Sequence, residues 1–173
     1  GKATAMAAAG ASVVAADLRP SRLGLVADNA ERLGHDMALV AADGRLPPFR
    51  PGAFDRVLVD APCTGLGVLR RRADARWRTG PADVEELADL QVDLLTAAAG
   101  LVRPGGLLFY SVCTLTSAET SGVDRRFREA TGLVSGPPLG APWRPYGDDG
   151  AGGLLLPQDL DSEGMAVFRY RID

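Results

Sequence analysis

The sequence predicts an α/β fold built around a mostly parallel β-sheet, and two observations support this class. Short apolar or β-branched runs alternate with longer amphipathic segments, which is the order that βαβ units produce. The 173 residues, of which 46% are hydrophobic and 24% charged, have the composition of one globular domain with a core. The same balance argues against a disordered chain, and the longest uncharged stretch, residues 3–16, is too short to span a bilayer.

Hydrophobic periodicity and terminal signals define the predicted elements. Pro20 suits the first turn of a helix that Gly34 ends, and Ser117 is expected to cap a later one. Four helices are predicted, over residues 3–9, 20–33, 83–101 and 117–131. Six strands are predicted, over residues 12–16, 37–42, 54–59, 106–112, 154–156 and 165–170. The last two strands are expected to form an antiparallel hairpin after a loop rich in glycine and proline, residues 136–153.

Reactive side chains follow four of the predicted strands, at the point where each strand ends. They are Asp17, Asp43, Asp60 and Cys113. An open parallel sheet binds its ligands at the carboxyl ends of its strands. A single aspartate at such a place is as often a helix cap or a turn residue, but four reactive side chains predict a ligand-binding edge.

Two segments place a cysteine beyond a strand. Residues 60–65 (DAPCTG) contain a proline that cannot continue a central strand, so the chain turns there and presents Asp60 and Cys63. Residues 110–115 (YSVCTL) place Cys113 at the end of the next strand. If these strands are neighbours, about 4.8 Å apart, the two thiols face one cleft. A lone cysteine is usually a small buried hydrophobe, but two at equivalent strand ends beside an acid predict a functional pair.

Two cysteines are too few for a disulfide framework, and the composition is typical of an intracellular protein, so a cytoplasmic location is expected. The single histidine, His35, lies beside Gly34 at the other end of the predicted architecture. No metal site is therefore expected.

The charge balance limits how nucleic acid could bind. Nineteen Lys+Arg and 22 Asp+Glu give a net charge of −3, so any such binding must be local. One segment is strongly basic and also carries an aromatic ring: it contains Arg70, Arg71, Arg72, Arg76, Trp77 and Arg78. A solvated charged loop is one interpretation, and contact with phosphates together with stacking on an exposed base is the other.

Several segments resemble the Sun/Fmu-type RNA (cytosine-5-)-methyltransferases. Residues 60–78 (DAPCTGLGVLRRRADARWR) and 110–119 (YSVCTLTSAE) are similar to the two hallmark cysteine motifs of that family. Shorter segments resemble other parts of the family. Residues 1–2 (GK) are similar to the end of its cofactor loop, and residues 13–23 (VVAADLRPSRL) to the segment with its ribose-binding acid. Residues 41–48 (AADGRLPP) are similar to its adenine-side segment, and residues 154–170 (LLLPQDLDSEGMAVFRY) to its closing strand pair. The cysteine motifs are specific, whereas the shorter segments are weak signals alone.

The resemblance implies a Rossmann-like methyltransferase fold that uses S-adenosylmethionine. It also implies that Cys113 is the nucleophile, that Cys63 assists product release and that Asp60 contacts the cytosine base. The residues themselves do not rank the two cysteines, because DNA cytosine methyltransferases use a Pro-Cys thiol like Cys63. The residues expected at the cofactor are Lys2, Asp17, Arg22, Asp43, Gly44 and Asp60. Asp17 is expected to accept hydrogen bonds from the ribose hydroxyls, and Asp43 to lie near the adenine amino group.

The motif order predicts that residues 1–173 are an amino-terminally truncated catalytic domain. The family's first strand and glycine-rich turn, and its upstream RNA-binding domain, are expected to be missing. The expected partner is RNA, with ribosomal RNA favoured and transfer RNA as the alternative, and the full-length protein is expected to be monomeric. Two other functions remain open: an RNA-binding domain without catalysis, and a nicotinamide-dependent oxidoreductase, which would use Asp17 but give the cysteines no role.

Overall fold

The computed structural model describes the backbone of all 173 residues and every side chain except those of Ala75 and Arg78. The chain forms two compact units, Gly1–Pro48 and Phe49–Asp173. No helix in the described part of the chain combines the length and the apolar character needed to cross a membrane.

The first unit is a βαβ arrangement preceded by a helix. Its elements are α1 (Lys2–Ala8), β1 (Val14–Asp17), α2 (Pro20–Arg32) and β2 (Ala38–Ala41). Strands β1 and β2 are parallel, with Asp17 opposite Ala41, so the turns after both strands leave from the same edge. Pro20 occupies the first turn of α2, where its fixed φ is already helical, and α2 buries Leu23 and Ala30.

The second unit is a five-stranded mixed sheet with helices. Its elements are β3 (Phe54–Asp60), α3 (Ala75–Arg78), α4 (Pro81–Ala99), β4 (Val102–Val112), α5 (Ser121–Thr131), β5 (Arg144–Tyr146), β6 (Gly152–Leu155) and β7 (Met165–Arg171). The strand order is β3-β4-β7-β6-β5. Strands β3 and β4 are parallel, whereas β7 runs antiparallel to both β4 and β6.

The core of the second unit lies around β4 and β7. Leu108 and Tyr110 of β4 are fully buried, as are Phe127 of α5 and Tyr170 of β7. The rings of Phe127 and Tyr170 meet edge to face with centroids 4.8 Å apart, and Tyr110 stacks on Phe168 at 6.0 Å. These aromatic contacts hold the closing strand against the strand that carries the second cysteine motif.

The α/β class, the parallel pairing of the two strands that lead into the cysteine motifs and the antiparallel closing strands are confirmed. The parallel strands nevertheless fall into two sheets instead of one, because no described strand pairs with both β1 and β3. Two short elements were not predicted: α3, and β5 within the glycine- and proline-rich loop.

The start of α5 also differs from the prediction. The helix begins at Ser121, and the Ser117 side chain does not cap it. Instead, the Ser117 carbonyl accepts the backbone N–H of Gly122 at 2.7 Å, which closes a turn before the helix. This turn places Glu119 in the interior, where its side chain is fully buried.

Candidate active site

The two cysteines come together in the second unit. Asp60, the last residue of β3, pairs in register with Ser111 of β4, so the chains that leave these strands run side by side. Cys63 Sγ and Cys113 Sγ are 3.4 Å apart, which is hydrogen-bond distance for sulfur; neither cysteine forms a disulfide, and both are half-buried. The expected juxtaposition of the thiols is therefore present.

The close approach of the two loops depends on Gly67. Its N–H donates to the Cys113 carbonyl at 3.0 Å, and its own carbonyl accepts the N–H of Gly164 at 2.9 Å. A Cβ at position 67 would lie 2.4 Å from the Gly164 oxygen and 2.8 Å from the Cys113 oxygen. Any other residue would therefore push the first cysteine loop away from the second.

The environment of the thiols favours a proton on Cys63. The hydrogen bond with Cys113, and then burial, raise the pKa of the Cys63 thiol well above its ordinary value. Two thiolates at this distance would repel each other, so Cys63 keeps its proton and can donate S–H toward Cys113 Sγ.

A buried carboxylate, absent from the predicted site, connects both cysteine loops. Glu119 Oε1 accepts the backbone N–H of Thr64 at 2.8 Å and Gln91 Nε2 at 3.2 Å. Its Oε2 accepts the hydroxyls of Thr64, Thr116 and Thr114 at 2.5, 2.9 and 3.1 Å. The signal in the sequence was Gln91, a polar residue on the apolar stripe of a predicted helix, four residues from Leu87 and from Leu95.

The first unit holds the predicted ribose acid. Asp17 Oδ1 accepts the backbone N–H of Arg19 at 2.8 Å, and Oδ2 lies 3.9 Å from the Arg22 guanidinium. The Asp17 side chain is 31% exposed, so it can accept hydrogen bonds from water or from the hydroxyl groups of a ligand. Asp17 thus fits the ribose of S-adenosylmethionine, and Arg22, predicted at the same site, lies beside it.

Asp43 fits the adenine contact less well. It follows β2 at the same edge, but Arg45 donates to both of its oxygens, with the shortest distance 2.7 Å to Oδ2. These bonds from the Arg45 side chain and backbone N–H lower the pKa of Asp43 to about 2. An adenine amino group would have to share this carboxylate with Arg45. Gly44 lies exposed in the turn between them, and Lys2 begins α1 and is half-buried.

The residues of the basic segment differ in their surroundings: some form ion pairs with acidic side chains, and others are described by their exposure. Arg70 pairs with Asp161, and Arg71 Nε lies 3.1 Å from Glu163 Oε1. The side chains of Arg72 and Arg76 are exposed, as is Trp77, whose side chain is 78% exposed. The Arg76 guanidinium lies 4.7 Å from the centre of the Trp77 ring. The prediction for Arg78 lies outside the described side chains.

The described residues contain no group of three or more histidine, cysteine, aspartate or glutamate side chains arranged to hold a metal ion.

Comparison with known proteins places the chain in a family. The model of the family described as 16S rRNA methyltransferase RsmB/F matches residues 1–135. The chain belongs to this family. The predicted resemblance is confirmed, and the family uses S-adenosylmethionine as its cofactor, as predicted.

Relatives and a solved structure agree with this family. A protein of Mycobacterium tuberculosis named as a methyltransferase, Rv1407, is 54% identical over 112 residues, which cover 65% of the chain and 24% of that protein. Ribosomal RNA small subunit methyltransferase B of Klebsiella pneumoniae is 42% identical over 113 residues, 64% of the chain and 26% of that protein. The chain thus spans about a quarter of the length of these relatives.

The crystal structure of NSun6 from Pyrococcus horikoshii with SFG, an S-adenosylmethionine analogue, superposes with a TM-score of 0.82. The alignment has 28% identity and covers 99% of this RsmB/F-family chain and 44% of that chain. The aligned region therefore includes residues of both units.

Proposed function

We propose that the chain is part of the catalytic domain of an enzyme that transfers a methyl group from S-adenosylmethionine to C5 of a cytosine in RNA, with ribosomal RNA the favoured substrate. The observation that carries this proposal is the thiol pair, 3.4 Å apart, beyond the ends of two parallel strands. A nucleophile at this position explains the otherwise difficult chemistry, because C5 of cytosine does not attack a methyl sulfonium unaided.

In the proposed reaction the Cys113 thiolate adds to C6 of the cytosine. The S–C6 bond forms while the electrons of the C5=C6 double bond move toward C5, which becomes nucleophilic. When bound, S-adenosylmethionine would supply the electrophilic methyl group: C5 takes it as the bond from the methyl carbon to the sulfonium sulfur breaks, and S-adenosylhomocysteine leaves. The C5 proton then leaves to water, the electrons of the C5–H bond restore the double bond, and the S–C6 bond breaks to return Cys113 as a thiolate.

Cys63 and Asp60 have separate proposed roles. Because the pKa of Cys63 is raised by its contact with Cys113 and by burial, Cys63 remains a thiol and can donate a hydrogen bond to the Cys113 sulfur. This donor stabilises Cys113 as a leaving thiolate and so assists product release. Asp60, at the last position of β3, is proposed to contact the cytosine base during activation.

The remaining proposed roles concern cofactor and RNA. Asp17 would accept hydrogen bonds from the ribose hydroxyls, a role supported by its partly exposed side chain. The exposed Arg72 and Arg76 would contact phosphates, and Trp77 would stack on an unpaired base. Arg70 and Arg71 would first have to exchange their acidic partners for phosphates.

The assignment of the two cysteines is tested by trapping the covalent adduct. The chain is incubated with S-adenosylmethionine and RNA in which the cytosines carry fluorine at C5, so that no proton can leave and the adduct persists. We expect Cys113→Ala to abolish both the protein–RNA adduct on denaturing gels and methyl transfer to ordinary RNA. Cys63→Ala is expected to retain the adduct and to accumulate it even on ordinary RNA.

The two variants are matched controls for each other, since each removes one thiol of the same pair. An adduct that survives Cys113→Ala but not Cys63→Ala reverses the roles. If the unmodified chain binds both RNA and S-adenosylmethionine but transfers no labelled methyl group, the catalytic proposal is wrong and an RNA-binding domain is the better description.

A further inference from the structure

Glu119 occupies an unusual position in the second unit. Its side chain is fully buried in the turn between β4 and α5, although burial of a carboxylate is costly unless hydrogen bonds replace its water. Five donors supply these bonds, and within the described part of the chain no lysine or arginine pairs with it. The fold therefore keeps a buried acid satisfied by neutral groups.

The donors to Glu119 are the immediate neighbours of the two thiols. Thr64, which follows Cys63, donates both its N–H at 2.8 Å and its hydroxyl at 2.5 Å. Thr114, which follows Cys113, donates its hydroxyl at 3.1 Å. The two threonine hydroxyls are also only 3.0 Å apart. One carboxylate thus ties together the residues that follow each cysteine.

Gln91 of helix α4 also hydrogen-bonds both to Glu119 and to the first cysteine loop. Gln91 is fully buried, and its Nε2 donates to the Pro62 carbonyl at 2.8 Å as well as to Glu119. The Tyr110 hydroxyl lies 2.8 Å from Gln91 Oε1 and 2.6 Å from the Glu119 carbonyl oxygen. The residues on both sides of Cys63 are therefore anchored, Pro62 through Gln91 and Thr64 through Glu119.

We propose that Glu119 is the positioning residue that holds Cys63 and Cys113 at hydrogen-bond distance. Its carboxyl group bonds to Thr64 and Thr114, the residues that follow the two cysteines, and it acts through them. The meaning of this role for catalysis rests on the proposed function, because the short Sγ–Sγ distance lets Cys63 assist the departure of Cys113. The geometric claim itself concerns only the chain, and it is measurable without RNA or cofactor.

The test measures the spacing of the thiols with dibromobimane, which becomes strongly fluorescent when it bridges two nearby thiols. In Glu119→Ala and Thr64→Val, the bridging rate is expected to fall about tenfold or more, the size of one lost hydrogen bond to a charged group. Glu119→Gln keeps an oxygen for the Thr64 N–H, and Thr64→Ser keeps the hydroxyl, so both are expected to recover most of the rate. Glu129→Ala, an exposed glutamate on α5, is the matched control.

A bridging rate in Thr64→Val and Glu119→Ala equal to that of the unmodified chain overturns the proposal. So does an equal loss in Thr64→Ser and Thr64→Val, because the hydroxyl would then not matter. If Glu119→Ala fails to fold by circular dichroism, the Thr64 pair decides alone. In the methyl-transfer assay, Thr64→Val is expected to lower kcat with an unchanged KM for RNA. Absence of methyl transfer by the unmodified chain contradicts the proposed function and leaves the bridging result standing.

Discussion

The two units of the molecule organise their polar residues in different ways. In the first unit, Asp17 at the end of β1 contacts its sequence neighbours Arg19 and Arg22. Asp43, just beyond β2, likewise contacts its neighbour Arg45. In the second unit, Thr64 of the first cysteine loop is held by Glu119, which lies 55 residues away in the chain. Local turns are thus enough to position Asp17 and Asp43, whereas the close approach of Cys63 and Cys113 requires contacts between distant parts of the chain.

The units also differ in how they bury apolar side chains. In the second unit Leu95, Leu108 and Phe127 are fully buried. In the first unit Leu25 is 64% exposed and Leu46 is 82% exposed. Burial of apolar surface is the main favourable term in folding, so we expect the second unit to contribute most of the free energy of unfolding that comes from core burial.

The largest effect is expected on the free energy of unfolding, when a buried side chain of the second unit is compared with an exposed one of the first. Phe127→Ala removes a fully buried ring that packs on Tyr170, and it is expected to lower the free energy of unfolding by about 3–5 kcal/mol. Leu46→Ala, at an exposed position, is expected to change it by less than about 0.5 kcal/mol. Urea denaturation followed by circular dichroism measures both values. Comparable losses in the two variants would contradict the contrast in core burial.

An intermediate effect is expected from the local acid of the first unit. Asp17→Asn removes the charge from the proposed acceptor of the ribose hydroxyls, and the affinity for S-adenosylmethionine is expected to fall roughly tenfold to a hundredfold. Titration calorimetry measures the change. Glu31→Gln on α2 makes the same chemical change at an exposed site and is expected to leave the affinity unaltered. Unaltered binding in Asp17→Asn would remove this residue from the proposed cofactor site.

The smallest effect is expected from the exposed basic segment. Replacing Arg72 and Arg76 together by Gln is expected to weaken binding of single-stranded RNA and to reduce the slope of log K against log salt by about 1.4, or about 0.7 for each phosphate contact. The double replacement of Arg125 and Arg126, both exposed on α5, is the matched change in charge. Fluorescence anisotropy over a range of salt concentrations separates the two. Equal slopes for both double variants would show that neither segment is the specific RNA contact.

Much of the site was accessible to sequence reasoning because its signals are local. The pattern of a strand followed by a reactive residue predicted that Asp17, Asp43, Asp60 and Cys113 lie at or just beyond strand ends, and each does, although β1 and β2 belong to a different sheet from β3 and β4. The two cysteines at equivalent strand ends predicted that their thiols share one cleft if the strands are neighbours, and β3 and β4 do pair, with Asp60 opposite Ser111. The roles assigned to these residues remain predictions: the trapping experiment tests Cys113, and the calorimetry of Asp17→Asn tests Asp17.

Other features could not be predicted because they depend on distant parts of the chain. The pairing of Arg70 with Asp161 bridges 91 positions, and it changes an apparent block of free positive charge into one that is partly neutralised. The sequence predicted Ser117 as a helix cap, but its carbonyl closes a turn onto the N–H of Gly122, and the helix begins at Ser121.

By itself, the sequence determined the α/β class, the edge at which each reactive residue emerges and the family, because these follow from periodicity and from short motifs. Only the tertiary structure decided that the two sulfur atoms lie 3.4 Å apart, and that Glu119 joins the residues beside them. The physical reason is that a buried carboxylate must collect its donors from wherever the fold brings them, and no local pattern records which donors those will be.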